Sequence, residues 1–306
     1  MKVLVIGAKG MLAQSIREAF LADINNKKNE IIIADICEDD ENIVYFDITD
    51  RALVIDEMDY YSPNLVINCA AYTNVDGAED NEELAYKINA TGVKNLADAC
   101  KIVGATLVHV STDYVFGGGL DLEQEYSEDD EKRPETAYGH TKLAGEEAVV
   151  ASGCNYYIFR TAWLYGDGPN FVRTMMKVGR EHEEVEVVDD QFGSPTYAGD
   201  LAKIIWQAVY NNIPYGIYNA TNLGFTNWAD FTREIYKMAN ISSNVQGISS
   251  DEYARKISGR KVAKRPANSK MSKDKLLNAG VLIPEWKDGL RRYLDIELNN
   301  QKEIKK

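Results

Sequence analysis

The chain opens on a buried-strand pattern that runs straight into a glycine turn and then a helix. Lys2-Val-Leu-Val-Ile6 is almost wholly apolar, Gly7-Ala-Lys-Gly10 follows, and a helical pattern continues from Met11 through Phe20. An apolar run of that length reads as a strand covered on both faces, the habit of a parallel sheet between helix layers. Strand, glycine turn and helix in that order form the context that a dinucleotide fingerprint requires. Gly7 permits the tight turn, and Gly10 lets a pyrophosphate approach the main chain at the helix N-terminus. Ala13 stands where the fingerprint has its third glycine and is still small enough for close packing of helix on strand.

Further strand–helix alternation supports the same architecture. Glu30-Ile-Ile-Ile-Ala-Asp35 reads as the second strand, and an acid at its end accepts hydrogen bonds from a ribose diol and opposes a 2′-phosphate. That favours NADH, while NADPH stays open because a nearby Lys or Arg would admit it. Phe46 to Asp50 reads as a loop with Asp47 and Ile48 beside an adenine, followed by a helix near 50–61 and a strand at 64–68. Ala70 and Ala71, small residues past that strand end, let a cofactor lie against the main chain. Thr73, Val75 and Asp76 either face a substrate or form a helix cap. A helix is expected from Glu79 to Lys101, with Asn89 as an amide that braces the backbone below the site.

The expected fold class is α/β: a doubly wound Rossmann-type parallel sheet with a smaller, mostly helical C-terminal substrate domain. Residues 1–168 plus about 185–220 form the dinucleotide-binding domain. Residues of about 169–184 plus 221–300 form the substrate domain, and 301–306 form a polar tail.

Two later stretches carry chemistry. The strand Ala105–Val110 ends in Ser111-Thr-Asp-Tyr-Val-Phe-Gly-Gly118, and hydroxyls at a strand's carboxyl end point into the ligand crevice of such folds. Thr112 is placed there to donate to a substrate carbonyl. In Thr136-Ala-Tyr-Gly-His-Thr-Lys-Leu-Ala-Gly-Glu146, Tyr138 and Lys142 stand four apart, one above the other on a helix face. An ammonium beside a phenol lowers its pKa from the usual ~10 and suits it to general acid catalysis. The tyrosine must be protonated to reduce a carbonyl, so the rate is expected to fall at alkaline pH.

Charge and composition exclude other classes. With 34 Lys and Arg against 48 Asp and Glu, the net charge of −14 repels nucleic acid and anionic membranes. No apolar run approaches the roughly 20 residues of a membrane span, and the opening run reads as a strand rather than a signal peptide. Cys37, Cys69, Cys100 and Cys154 lack a C-x-x-C pair, and His109, His140 and His182 show no metal-ligand spacing. Buried free thiols, no metal and a cytoplasmic location are expected. The acidic loop from Leu120 to Arg133 reads as a solvated face. The basic cluster Arg260, Lys261, Lys264 and Arg265 either neutralises a substrate pyrophosphate or pairs with surface carboxylates.

Taken in combination, the glycine turn, Ser111-Thr112, Tyr138 and Lys142 make the chain resemble the extended short-chain dehydrogenase/reductase superfamily. Within it the chain is similar to the dTDP-4-dehydrorhamnose reductase family over nearly its whole length. The segments that carry the resemblance are those at 111–118, 126–130 and 138–146, Arg160–Gly166, Asn170-Phe171, Asp189–Ala202 and Arg265–Ser272. The family reduces the 4-keto group of dTDP-6-deoxy-L-lyxo-4-hexulose to give dTDP-L-rhamnose, with NADH or NADPH. The resemblance implies that Thr112 polarises the keto oxygen with Asp113 beside it, that Tyr138 protonates it, and that Lys142 lowers the tyrosine pKa and holds the nicotinamide ribose. It implies cofactor contacts from Gly7, Gly10, Met11, Leu12, Asp35, Asp47, Ile48, Ala70, Ala71, Tyr72, Tyr138 and Lys142. It implies substrate contacts from Thr73, Val75, Thr112, Asp113, Trp163 as the wall behind the sugar, Asn170 and Arg265.

Ser15 stands where some family members carry an acid used in a metal-bridged dimer, which counts against such a bridge here; a monomer or homodimer is expected. Two other readings remain: an epimerase or dehydratase of the superfamily that recycles its cofactor, and a nucleotide-binding regulatory subunit resembling the beta subunit of methionine adenosyltransferase. The intact Tyr-x-x-x-Lys argues against the latter.

Overall fold

The computed structural model describes residues 1–37, 40–257 and 262–304, so Arg260 and Lys261 of the basic cluster lie outside the described residues. Seven strands form the central sheet: β1 (Lys2–Ile6), β2 (Glu30–Asp35), β3 (Val44–Tyr45), β4 (Leu65–Asn68), β5 (Thr106–Thr112), β6 (Asn155–Thr161) and β7 (Gly216–Asn219). All pair in parallel, in the spatial order β7-β6-β5-β4-β1-β2-β3. From β1 the chain winds outward through β2 and β3, then returns to set β4 on the other side of β1. The strand order reverses there, and the carboxyl ends of β1 and β4 open the crevice where doubly wound sheets bind ligands.

Period-2 alternation splits β1 between two cores. Val3 and Val5 pack with Ile16, Phe20, Leu201 and Trp206 on one face. Leu4 and Ile6 pack with Val93, Leu96 and Val149 on the other. All four β1 side chains are at most 1% exposed, so each contributes roughly 1.5–3 kcal/mol of burial and together they tie both helix layers to the sheet. The Rossmann-type architecture is thus as expected.

A third core, including Tyr165, Val172, Phe231, Trp286 and Leu290, lies among the helices Phe171–Glu181, Trp228–Ala239 and Trp286–Ile304. One strand departs from the sequence expectation for this part. Glu184–Val188, grouped above with the dinucleotide-binding residues, pairs in parallel with Asn244–Ile248 outside the central sheet. Val185, Val187 and Val245 from this pair join the third core. Asn244–Ile248 escaped the sequence reading because only Val245 and Ile248 in it are apolar, too short a pattern to show a period. The last helix runs to Ile304, through most of the stretch expected as a tail, and 305–306 lie outside the described residues.

The helix expected over Glu79–Lys101 is also not uniform. It consists of Glu82–Tyr86, a π-helical turn Lys87–Gly92, and Val93–Val103. The wide turn carries Asn89, whose Oδ1 accepts from Tyr72 N at 2.8 Å and whose Nδ2 donates to Tyr72 O at 3.1 Å. That side chain therefore substitutes for a neighbouring strand and fixes the segment just past β4. π-turns of this kind concentrate at functional sites.

Candidate active site

The glycine turn is closed over the end of β4. Gly7 has φ 82°, and a Cβ there would lie 2.7 Å from Ala70 N, so no other residue lets the two segments approach. Gly10 caps the helix Met11–Ala22 without a side-chain bond, leaving its first N–H groups directed at the crevice as a ready anion site. Leu12 and Ala13 bury their side chains in the core, so Leu12 offers the crevice only its main chain. Asp35 stands at the end of β2, with Oδ2 accepting from Lys9 N at 3.0 Å and Oδ1 from Ile36 N at 2.8 Å. Asp47 accepts from Thr49 N at 2.8 Å, and the buried Ile48 is held through its carbonyl by Asn95 Nδ2 at 3.0 Å. Ala70 N donates to Asn68 Oδ1 at 3.1 Å, with Ala71 and the Asn89-braced Tyr72 following. The residues expected to hold a dinucleotide therefore gather along the carboxyl ends of β1, β2 and β4. A glycine cradle, an uncapped helix end and a carboxylate at the end of β2 fit such a cofactor.

Thr112 ends β5, and Tyr138 and Lys142 lie on the helix Ala137–Ser152, capped by Thr136 Oγ1 accepting from Gly139 N at 3.0 Å. The helix packs tightly on the π-turn because Gly145 faces it; a Cβ there would sit 2.2 Å from Asn89 O. Tyr138 stands beside Thr112, whose hydroxyl favours the phenolate against burial. Thr112 Oγ1 also donates to Asp113 Oδ1 at 3.0 Å and accepts from Tyr114 N at 3.3 Å. A hydroxyl has one proton, and Thr112 spends its own on Asp113. Using Thr112 to polarise a carbonyl requires that bond to be exchanged. Asp113 is buried and also accepts from Ser269 Oγ at 2.5 Å, with burial pushing its carboxyl up to about 6 against those hydrogen bonds.

The expected lowering of the tyrosine pKa by lysine is not what the geometry produces. Burial pushes Tyr138 up to about 12, the nearby Thr112 hydroxyl opposes this and Asp113 adds to it. Lys142 Nζ instead donates to Val110 O at 2.6 Å and lies 3.5 Å from His109 Nε2. Its ammonium is brought down to about 8, chiefly by burial, with Glu146 and Cys69 opposing. Helical spacing set the two side chains on one face; the buried carbonyl of β5 decided where the ammonium points.

Arg160, Glu146 and Glu128 form a support that the sequence hid. Arg160 on β6 is fully buried, its Nε and Nη2 donating to Glu146 at 2.9 and 2.6 Å and its Nη1 to Glu128 O at 3.0 Å. Glu128, expected in a solvated acidic loop, is buried and accepts from Asn219 N on β7 at 2.9 Å. Glu146 lies one turn beyond Lys142, so this bidentate pair fastens the helix Ala137–Ser152 to the sheet.

Beside Asp113 and Tyr114 opens a cleft of about 850 Å³, walled by Trp163, Trp228 and Phe171 and closed on another side by Arg265. Trp163 stacks on Trp228 with centroids 3.7 Å apart and planes 16° from parallel. The φ of Trp163 is 49°, a left-handed value that costs a non-glycine residue about 1 kcal/mol or more and is held by the surrounding packing. Arg265 pairs with Asp76 at 3.0 Å and Lys264 with Glu135 at 2.7 Å, so both described members of the basic cluster meet carboxylates. Helix capping in the 73–76 stretch falls to Asn74, which accepts from Gly77 N at 2.9 Å; Asp76 lines the cleft, with Thr73 exposed and Val75 half-buried. Asn170, next to the cleft-lining Phe171, has its amide engaged within the protein. Its Oδ1 caps Arg173 N at 3.0 Å, and its Nδ2 donates to Gly166 O, Gly168 O and Tyr293 Oη at 2.7, 3.0 and 2.9 Å.

The model of the family described as the RmlD substrate binding domain matches residues 1–299. The dTDP-4-dehydrorhamnose reductase of Mycolicibacterium smegmatis is 38% identical over 294 residues, covering 95% of this chain and 84% of that protein. The chain belongs to the dTDP-4-dehydrorhamnose reductase family. A crystal structure of a dTDP-4-dehydrorhamnose reductase from Clostridium acetobutylicum superposes with a TM-score of 0.88 at 41% identity, covering 97% of this chain and 100% of that one. Another, from Bacillus anthracis in complex with NADP, superposes with a TM-score of 0.85 at 38% identity, covering 96% and 98%. Of the residues that shape the site in this member of the reductase family, sequence reasoning passed over Trp228, Ser269, Glu146 and His109. Ser269 and Glu146 lay inside segments already singled out; Trp228 and His109 carried only helical or core-like patterns.

Proposed function

We propose that the chain is a dTDP-4-dehydrorhamnose reductase, which reduces the 4-keto group of dTDP-6-deoxy-L-lyxo-4-hexulose to give dTDP-L-rhamnose. The observation that supports this is Tyr138, kept protonated by burial and standing beside Thr112, with the adjoining Asp113 and Tyr114 lining a tryptophan-walled cleft. Bound reduced nicotinamide supplies the hydride. Tyr138 supplies the proton to the keto oxygen, Trp163 backs the sugar, and Arg265 exchanges Asp76 for the substrate's phosphate. Incubation with NADH and the keto sugar should consume NADH in proportion to product. A cofactor that cycles without net loss would instead mark an epimerase or dehydratase, and no oxidation with any 4-keto nucleotide sugar would sink the reading.

Asp35 favours NADH over NADPH in this reading. A charge-assisted hydrogen bond is worth about 1.5–3 kcal/mol, so Asp35→Ser should reduce the NADH-over-NADPH ratio of kcat/KM by roughly 10–100-fold. An unchanged ratio would remove Asp35 from cofactor selection.

The pH profile of kcat/KM should be a bell. Below about 6, Asp113 takes up a proton and releases its hold on Thr112, so the rate falls toward acid. Above about 8, Lys142 loses its charge, and the rate falls toward alkali. Tyr138, up at about 12, stays protonated throughout, so the alkaline limb belongs to the lysine. Lys142→Arg, whose guanidinium keeps its charge, should abolish that limb in whatever activity remains; a limb still near 8 would assign it elsewhere.

A further inference from the structure

Beneath Lys142 lies a chain of buried polar groups to which the proposed reduction assigns no part. His109 on β5 is fully buried, with Nδ1 3.3 Å from Asn68 Nδ2 and Nε2 3.5 Å from Lys142 Nζ. The orientation of Asn68 is set from its other end, where Oδ1 accepts from Ala70 N at 3.1 Å. Turning the amide over would press its NH2 against that N–H, so Nδ2 faces His109 as a donor. His109 Nδ1 must then be an acceptor. Burial, with Lys142 adding to it, holds the imidazole well below its usual pKa, so the ring is neutral and carries a single proton. That proton sits on Nε2 and points at Lys142.

An ammonium has three N–H groups and no lone pair, and it meets Nε2–H as donor against donor. A neutral amine accepts from Nε2–H and still donates to Val110 O at 2.6 Å. The remaining groups around Lys142 work the other way. Glu146 on its own helix, itself paired with Arg160 of β6, and Cys69 just past β4 both favour the ammonium. Tyr138, one turn earlier on the helix, is neutral and turned to Thr112.

We infer that Asn68 and His109 form a positioning and tuning pair for Lys142, weakening its hold on its proton by locking the imidazole in the Nε2–H tautomer. The pair keeps the lysine's proton exchangeable near neutral pH, against two anionic-capable neighbours that would otherwise retain it. This rests on Lys142 serving the reduction proposed above, but the test does not require turnover.

The chain has three histidines, so 15N-histidine NMR of the whole protein resolves them, and His109→Phe identifies the His109 signals. The expected result is the Nε2–H tautomer at His109 in the unsubstituted protein; Nδ1–H would overturn the inference. Asn68→Asp keeps an acceptor for Ala70 N but presents a carboxylate to Nδ1, which moves the proton there and turns a lone pair toward Lys142. The Lys142 titration, followed with labelled lysine and assigned by Lys142→Arg, should then move up by about one pH unit or more. In a His109→Phe background the same substitution should move it far less, because only the bare carboxylate charge remains. Equal shifts in the two backgrounds would overturn the tautomer relay. If the protein fails to reduce any keto sugar, the functional reading falls while these NMR outcomes still decide this one. In active enzyme the alkaline limb of kcat/KM should follow the lysine titration.

Discussion

Tyr138→Phe should lower kcat for keto-sugar reduction by roughly 10²–10⁴-fold while changing cofactor affinity little, the size of a positioned general acid. The substitution removes one oxygen and leaves the ring's edge-to-face contact with Tyr114, centroids 5.4 Å apart, so the helix should fold as before. The substitution removes the proton donor itself, so the loss should appear in kcat more than in KM. Steady-state loss of NADH absorbance and a fluorescence titration with NADH separate the two quantities. Turnover within a few-fold of the unsubstituted enzyme would take Tyr138 out of the chemistry.

The largest expected effect on stability lies below the site, at Arg160. Arg160→Met leaves the Glu146 carboxylate buried without its bidentate partner, and breaking one side of a buried pair costs about 3–5 kcal/mol. It also strips a donor from Glu128 O and the guanidinium that lies 4.9 Å over the Phe116 ring. A fall in melting temperature on the order of 10 °C is expected. Adding Glu146→Leu to it removes the stranded charge as well and should recover a large part of the loss, since well-packed apolar replacements of buried pairs are often near neutral. Calorimetry of the single and double variants tests this. A double variant no more stable than the single would mean that the cost comes from packing around Phe116 rather than from the unpaired carboxylate. Activity should fall with the single variant too, because the pair anchors the helix that carries Tyr138.

Much of the fold was legible because it is encoded locally. The apolar run Lys2–Ile6 before Gly7 specifies a strand, its burial on both faces and the turn that follows, and β1 does split its side chains between two cores. Glu30–Asp35 and Thr106–Thr112 were legible for the same reason. The failures have a common physical origin. Asn244–Ile248 becomes a strand only because Glu184–Val188 is present to pair with it. Glu128 looks like one acid in an acidic run, yet β7 draws it inside.

For the candidate site, residue types and helical spacing named Thr112, Tyr138 and Lys142, since a hydroxyl at a strand end and an i, i+4 pair are statements about local geometry. What those side chains do to one another belongs to the tertiary structure. Thr112 turns its proton to Asp113, which Ser269 grips from a segment 156 residues away. Lys142 turns to the Val110 carbonyl and His109 rather than to Tyr138, and burial brings the lysine down and the tyrosine up. Trp163 finds Trp228 only when the C-terminal helices fold back over the sheet. Sequence alone named the candidate groups and the elements that carry them, because periodicity and turn chemistry are written within a few residues. Proton positions and pKa values depend on burial and on partners from distant segments, and those exist only once the chain has closed on itself.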